Sequence, residues 1–134
     1  MQDDTNPYYS EVTEGDKVTR TFLRMDYNSE FEGGYPFSKG DVATYKKKGK
    51  WILNLHSFND EPAISFAMGT KLWFLDGREG RLEGLPCKEY ASGTKVWIDH
   101  TNGQVQKVEK SGIIVFEKTE HTPYYRIPEQ LFLF

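Results

Sequence analysis

Apolar and polar residues alternate along this chain in short bursts, without the three-to-four-residue period of a helix. No window of 12 or more residues sets apolar side chains at i, i+3, i+4 and i+7. Runs rich in Val, Ile, Tyr, Phe, Trp and Thr are instead broken by Gly, Asn, Ser and Pro, which predicts an antiparallel all-β protein. The C-terminal third is the most regular. KVWIDH (95–100) reads as a strand, Asn102-Gly103 as a turn and QVQKVEK (104–110) as the returning strand. Ser111-Gly112 is a second tight turn, followed by the strand IIVFEK (113–118). The polar run 119–123 turns the chain again. YYRI (124–127) is a further strand, Pro128-Glu129-Gln130 suits one 3₁₀ turn, and the final LFLF is a last short strand.

A phrase recurs inside this pattern. GTKLWF (69–74) returns as GTKVWI (93–98), and Gly40-Asp41-Val42-Ala43-Thr44-Tyr45 is a weaker third copy. In each, a glycine releases the chain into a new strand and an aliphatic residue follows shortly. A second glycine (Gly49, Gly80, Gly103) is expected to mark the hairpin turn. Duplication and the shared grammar of hairpins explain the recurrence equally well. Strand side chains alternate between faces, so Trp73 and Trp97 point either into the core or out to a recognition surface, and both phases stay open.

The N-terminal part is less regular. Residues 1–16 read as a flexible acidic arm, with Tyr8 and Tyr9 able to pin it to the surface. DKVTRTFLRMDY (16–27) has strand composition, with Leu23, Met25 and Tyr27 alternating onto one face, and NSEFEGG (28–34) is a polar loop.

The run 23–51 resembles the front half of a Src-homology-three domain. LRMDY stands where that family has its opening ALYDY-like strand, 28–34 where it has an acidic loop, and YPFSKGD (35–41) where it enters the next strand. Trp51-Ile52 takes the place of a tryptophan pair, and YRIPEQL (125–131) resembles the family's closing strand and 3₁₀ turn. The resemblance implies small antiparallel barrels: a first over 17–68 and a second over 69–134. A single larger barrel or sandwich is the alternative. It also implies a groove built on Tyr27 and Trp51, with Glu30 and Glu32 facing a basic ligand residue. The chain departs from the family pattern at Met25 and Ile52, where groove aromatics are absent, and no Pro-x-x-Tyr follows Trp51.

Composition narrows the functional classes. The chain has 134 residues, 15% aromatic and 28% charged, without the apolar run of about 20 residues that a helical membrane span needs. The first residues show no basic stretch followed by an apolar one, so the expectation is a cytoplasmic protein with no secretory leader. Cys87 is the only cysteine, which excludes an intramolecular disulfide. His56, His100 and His121 have no metal-ligand spacing, and no catalytic constellation or cofactor motif is present, so no catalytic residue, metal or cofactor is expected.

The net charge of −3 is uneven: residues 1–35 hold eight acids and three bases, while 36–68 hold five lysines and three acids. The leading expectation is a non-enzymatic module that binds a protein partner through Tyr27, Glu30, Glu32, Trp51, Trp73 and Trp97. One alternative is a nucleic-acid-binding small barrel using Lys46, Lys47, Lys48 and Lys50. Another is a β-barrel that carries a small ligand.

Overall fold

A computed structural model describes residues 8–25, 37–50, 52–82 and 84–118. Among them the chain forms β1 (Tyr9–Glu14), β2 (Lys17–Phe22), β3 (Val42–Lys48), β4 (Ile52–Leu55), β5 (Ile64–Ser65) and β6 (Lys71–Leu72). It continues as β7 (Phe74–Leu75), β8 (Arg78–Glu79), β9 (Lys88–Glu89), β10 (Lys95–Ile98), β11 (Val105–Lys110) and β12 (Ile113–Glu117). Ten strands make one antiparallel sheet in the order β1-β2-β3-β5-β6-β9-β10-β11-β12, with β4 paired to β3; β7 and β8 form a separate hairpin.

The all-β expectation holds, but the sheet is not closed into a barrel. Its path begins at β1 and ends at β12. The line between residues 68 and 69, expected to divide two barrels, falls between β5 and β6, and these strands pair directly, Ile64 with Leu72 and Ser65 with Lys71. Tyr9–Glu14, expected to lie in a flexible arm, pairs along its whole length with β2. The strand expected over 16–27 ends at Phe22. There the backbone is held by Asp41 and Gly40 (Phe22 N–H to Asp41 O 2.8 Å, Gly40 N–H to Phe22 O 2.9 Å), and Leu23 and Met25 beyond it are exposed.

The three copies of the glycine phrase occupy equivalent places. Gly40, Gly69 and Gly93 all have positive φ (94°, 114° and 97°), a conformation that favours glycine. The residue after each glycine is a buried polar one (Asp41, Thr70, Thr94), and two residues later comes a buried aliphatic (Ala43, Leu72, Val96). Three residues before each glycine stands an aromatic: Phe37, Phe66 or Tyr90. The second and third turns close with the same bonds. Phe66 N–H donates to Thr70 O and Gly69 N–H to Phe66 O, as Tyr90 N–H does to Thr94 O and Gly93 N–H to Tyr90 O.

The turns are also stacked. Ala67 N–H donates to Asp41 Oδ1 at 2.9 Å, and Ala91 N–H donates to Thr70 Oγ1 at 3.1 Å. Asp41 and Thr70 thus each supply the acceptor for a backbone N–H of the next turn, as buried polar groups require. This linear stacking extends the sheet, as in repeat architectures, instead of curling it shut.

The main core lies under the N-terminal half of the stack. Phe22, Phe37, Ala43, Ala63, Ile64, Leu72 and Phe74 form one buried cluster, with Tyr9, Tyr45, Leu55 and Phe66 against it. Phe22 stacks on Phe37 at 4.3 Å, and Phe37 on Phe66 at 6.1 Å.

The second glycines differ in role. Gly49 and Gly103 sit at turns with φ of 76° and 75°. Gly80 does not; the β7–β8 turn is Asp76-Gly77, with φ of 52° and 91°. Gly80 is instead a close-approach position: a Cβ there would lie 2.2 Å from the Cβ of His100.

Candidate functional site

The two tryptophans of the repeat are anchored alike. Trp73 Nε1–H donates to Asp60 O at 2.9 Å and Trp97 Nε1–H to Gly84 O at 2.8 Å, each carbonyl 13 residues upstream. A cation covers each ring: Arg81 lies 3.9 Å from Trp73 and Lys107 4.2 Å from Trp97. Such pairing adds about 0.5–2 kcal/mol according to how desolvated it is.

Trp73 is buried, and Trp97 is half-buried beside its cross-strand neighbour Lys107. Val96 and Leu72, on the opposite face, are buried as well. Both faces of the sheet are therefore covered here, so the two phases left open by the alternation are not exclusive.

Arg81 fixes this arrangement. Its guanidinium donates to both carboxylate oxygens of Asp60 (2.9 and 3.0 Å) and to Pro86 O (3.1 Å), and also reaches Glu89 (3.4 Å). The hydrogen bond from Arg81 holds the Asp60 carboxyl below its ordinary range. Arg81 is thus a packing residue whose donors are engaged within the fold.

Tyr27, Glu30, Glu32 and Trp51, the residues of the expected groove, lie outside the described residues. Of the lysine hairpin, Lys47 and Lys50 are exposed and Lys46 and Lys48 half-buried, and Lys48 Nζ is paired with Asp76 at 2.9 Å. Cys87 is buried, and desolvation, aided by the nearby Glu79 carboxylate, pushes its thiol up to about 11. A thiol held protonated at neutral pH is a poor nucleophile.

Two of the hollows on the described surface bear on a candidate site. One, of about 450 Å³, is lined by Arg78, Glu79, Ile98, His100, Thr101 and Asn102 among others. Its acid is already neutralised, because Glu79 pairs with Lys88 at 2.8 Å. The other, about 300 Å³, lies between the second and third stacked turns, against Phe66, Met68 and Tyr90.

No family model matches the chain, and no curated protein or solved structure matches it significantly. What stands is an all-β antiparallel fold, with no assignment to the Src-homology-three family.

The most unusual surface is one that the sequence pattern did not single out. Ile113, Ile114 and Val115 of β12 are 67%, 49% and 44% exposed. The reason is local. Val108 pairs with Phe116 and Glu109 with Ile114, so Val115 is an extra residue in β12. A bulge of this kind re-aims the side chains around it and breaks strict alternation. Three aliphatic residues in succession then face solvent along the last strand of the described sheet. The other end is different: β1 carries Glu11 and Glu14, and Glu11 is paired with Arg20 at 2.8 Å. Acidic side chains on an edge discourage association, and β12 has none before Glu117.

Proposed function

We propose that this protein is a binding module for a protein partner and that the partner seats on the β12 edge. The observation that carries this reading is the run of three exposed β-branched residues, Ile113, Ile114 and Val115, on the last strand of the described sheet. Leaving contiguous aliphatic surface in water is unfavourable, and such patches mark association sites. The occupant that suits this edge is an apolar segment of another protein, extended enough to lie along a five-residue strand.

The edge is a better contact surface than the pair of tryptophans, because Trp73 is 4% exposed and both indole N–H groups are bound within the fold. The ligand-carrier alternative rested on the interior of a closed barrel, and the described sheet is open.

The test is capture from the native host with wild type and Ile114→Lys, followed by reconstitution of any captured protein with both purified forms. The expected result is a stoichiometric partner that the variant loses by at least tenfold in affinity, a cost of about 1.4 kcal/mol, while its melting temperature is unchanged. Equal binding by the two forms overturns the reading. So does protection of β12 amides from hydrogen exchange in the isolated wild type that is lost on removing residues 119–134, because the chain itself then covers the edge.

A further inference from the structure

At the far end of the sheet from β12, two lysines face one another. Lys17 of β2 is directly opposite Lys46 of β3, and Lys48 follows two residues on. Like charges directly opposite one another on a strand pair are destabilising. Lys48 is answered by Asp76. Among the described residues, neither Lys17 nor Lys46 has an ion pair with a carboxylate. Against this repulsion the described carboxylate that acts on Lys46 is Asp76, which is already paired with Lys48.

An aromatic platform adjoins these charges. His56 N–H donates to Thr44 O at 3.1 Å, which sets His56 across from Thr44, two residues before Lys46 and on its face. The His56 ring meets Phe58 edge-on at 4.8 Å, and Lys17 Nζ lies 5.7 Å from the centre of the same Phe58 ring. Lys17, Lys46, His56 and the half-buried Phe58 therefore form one patch. Asp16 and Asp76 border it, and Asp76 is already engaged with Lys48.

We propose that this face is a binding site for single-stranded nucleic acid, with Lys17 and Lys46 on phosphates and Phe58 as the stacking surface for a base. The chemistry selects the ligand. Two unpaired ammonium groups ask for anionic oxygens, and a ring beside them asks for a π-face; a single strand offers both in sequence. A bare anion would leave the ring unused. The patch is made by β2, β3 and the segment after β4, not by a ridge or helix shaped for a duplex groove. This site differs from the lysine run 46–50 read as a unit, since Lys48 is spent on Asp76 and Lys17 comes from another strand. It is independent of the β12 edge, and either can fail without the other.

The experiment is fluorescence anisotropy with a labelled single-stranded oligonucleotide of about 15 nucleotides, as RNA and as DNA, against the full chain. Salt is varied from about 0.05 to 0.2 M. Expected is binding whose log K falls linearly with log salt, with Lys17→Gln and Lys46→Gln each reducing the slope by about 0.7. Phe58→Leu, which keeps an apolar side chain, weakens binding about fivefold and leaves the slope unchanged. Lys71→Gln and Lys95→Gln, at exposed positions elsewhere, change neither. Absence of binding at the lowest salt overturns the proposal. An unchanged slope in both site variants does so as well, and so does an equal loss in the Lys71 and Lys95 controls.

Discussion

At the scale of single residues, Gly80 is decided by space, not by torsion. An added Cβ would meet the His100 Cβ at 2.2 Å and its Cα at 3.1 Å, and backbone cannot swing aside as a flexible side chain does. Gly84 is the contrast: nothing lies within 4 Å of its would-be Cβ, but its φ of 72° is itself unfavourable for a side chain. Gly80→Ala is expected to lower stability by about 2–4 kcal/mol, in the range of overpacked buried sites. Gly84→Ala is expected to cost about 1 kcal/mol, the conformational penalty alone. Urea denaturation of both variants measures this. A Gly80→Ala protein within about 0.5 kcal/mol of wild type would show that β8 and the segment at His100 do not touch. The sequence pattern placed Gly80 at a hairpin turn because turns are the common use of glycine. Close approach between residues 20 apart in sequence leaves no local signal.

At the scale of elements, the unit of this fold is the stacked turn. Asp41 accepts from Ser38 N–H at 2.8 Å within its own turn and from Ala67 N–H at 2.9 Å in the next. Thr70 accepts from Ala91 N–H alone in the next rung. Removing either acceptor leaves part-buried backbone donors without this partner, but Asp41 strands two and Thr70 one. Asp41→Ala is expected to cost about 3 kcal/mol and the near-isosteric Thr70→Val about 1–2 kcal/mol. Asp41→Thr should fall between, because it keeps one acceptor. Denaturant midpoints with unchanged m-values test the order; a Thr70→Val loss larger than that of Asp41→Ala would break the ladder as described.

How much of this was legible follows the length of the elements. β10, β11 and β12 and their turns were readable because strong β-formers run for four to six residues between Asn102-Gly103 and Ser111-Gly112. β5, β6 and β9 are two residues each, too short to carry a period-two pattern. The recurring phrase was legible, and so was its strand. The Asp or Thr after each glycine read only as polar, since its partner sits 21 or 26 residues away. β1 was missed because its side chains are mostly exposed and polar, so its pairing to β2 shows in backbone bonds and not in apolar alternation. For the candidate edge, composition marked β12 as a strand, but the bulge at Val115 depends on its register with β11 and has no signature within the strand.

At the scale of the whole molecule, the open question is how far one end of the sheet knows about the other. The centre is thin: β5, β6 and β9 pair through two positions each. Three features bridge it. The turn stack ties Asp41 to Ala67 and Thr70 to Ala91 along one side. Backbone bonds from Ala63 N–H to Leu72 O, Trp73 N–H to Cys87 O and Cys87 N–H to Val96 O cross it in series. Arg81 then gathers Asp60, Trp73, Pro86 and Glu89 into one cluster. Two of these links, Ala63 N–H to Leu72 O and Arg81 to Asp60, join residues on opposite sides of position 69, and the others carry the connection onward within each side, so opening either of the two exposes the buried surface of its neighbours. The chain is therefore expected to unfold in one cooperative step, as small domains usually do. Tryptophan emission, which includes Trp73 at the centre, and far-UV circular dichroism, which follows the whole sheet, should give coincident urea transitions. In Arg81→Gln the two curves should separate, with emission changing first, because the cluster that clamps Trp73 is gone while β1–β2–β3 is untouched. Non-coincident curves in the wild type would instead mean that the segments before and after residue 69 fold as independent units, the arrangement the two-barrel reading implies. The centre of the sheet would then be a hinge and not a clamp.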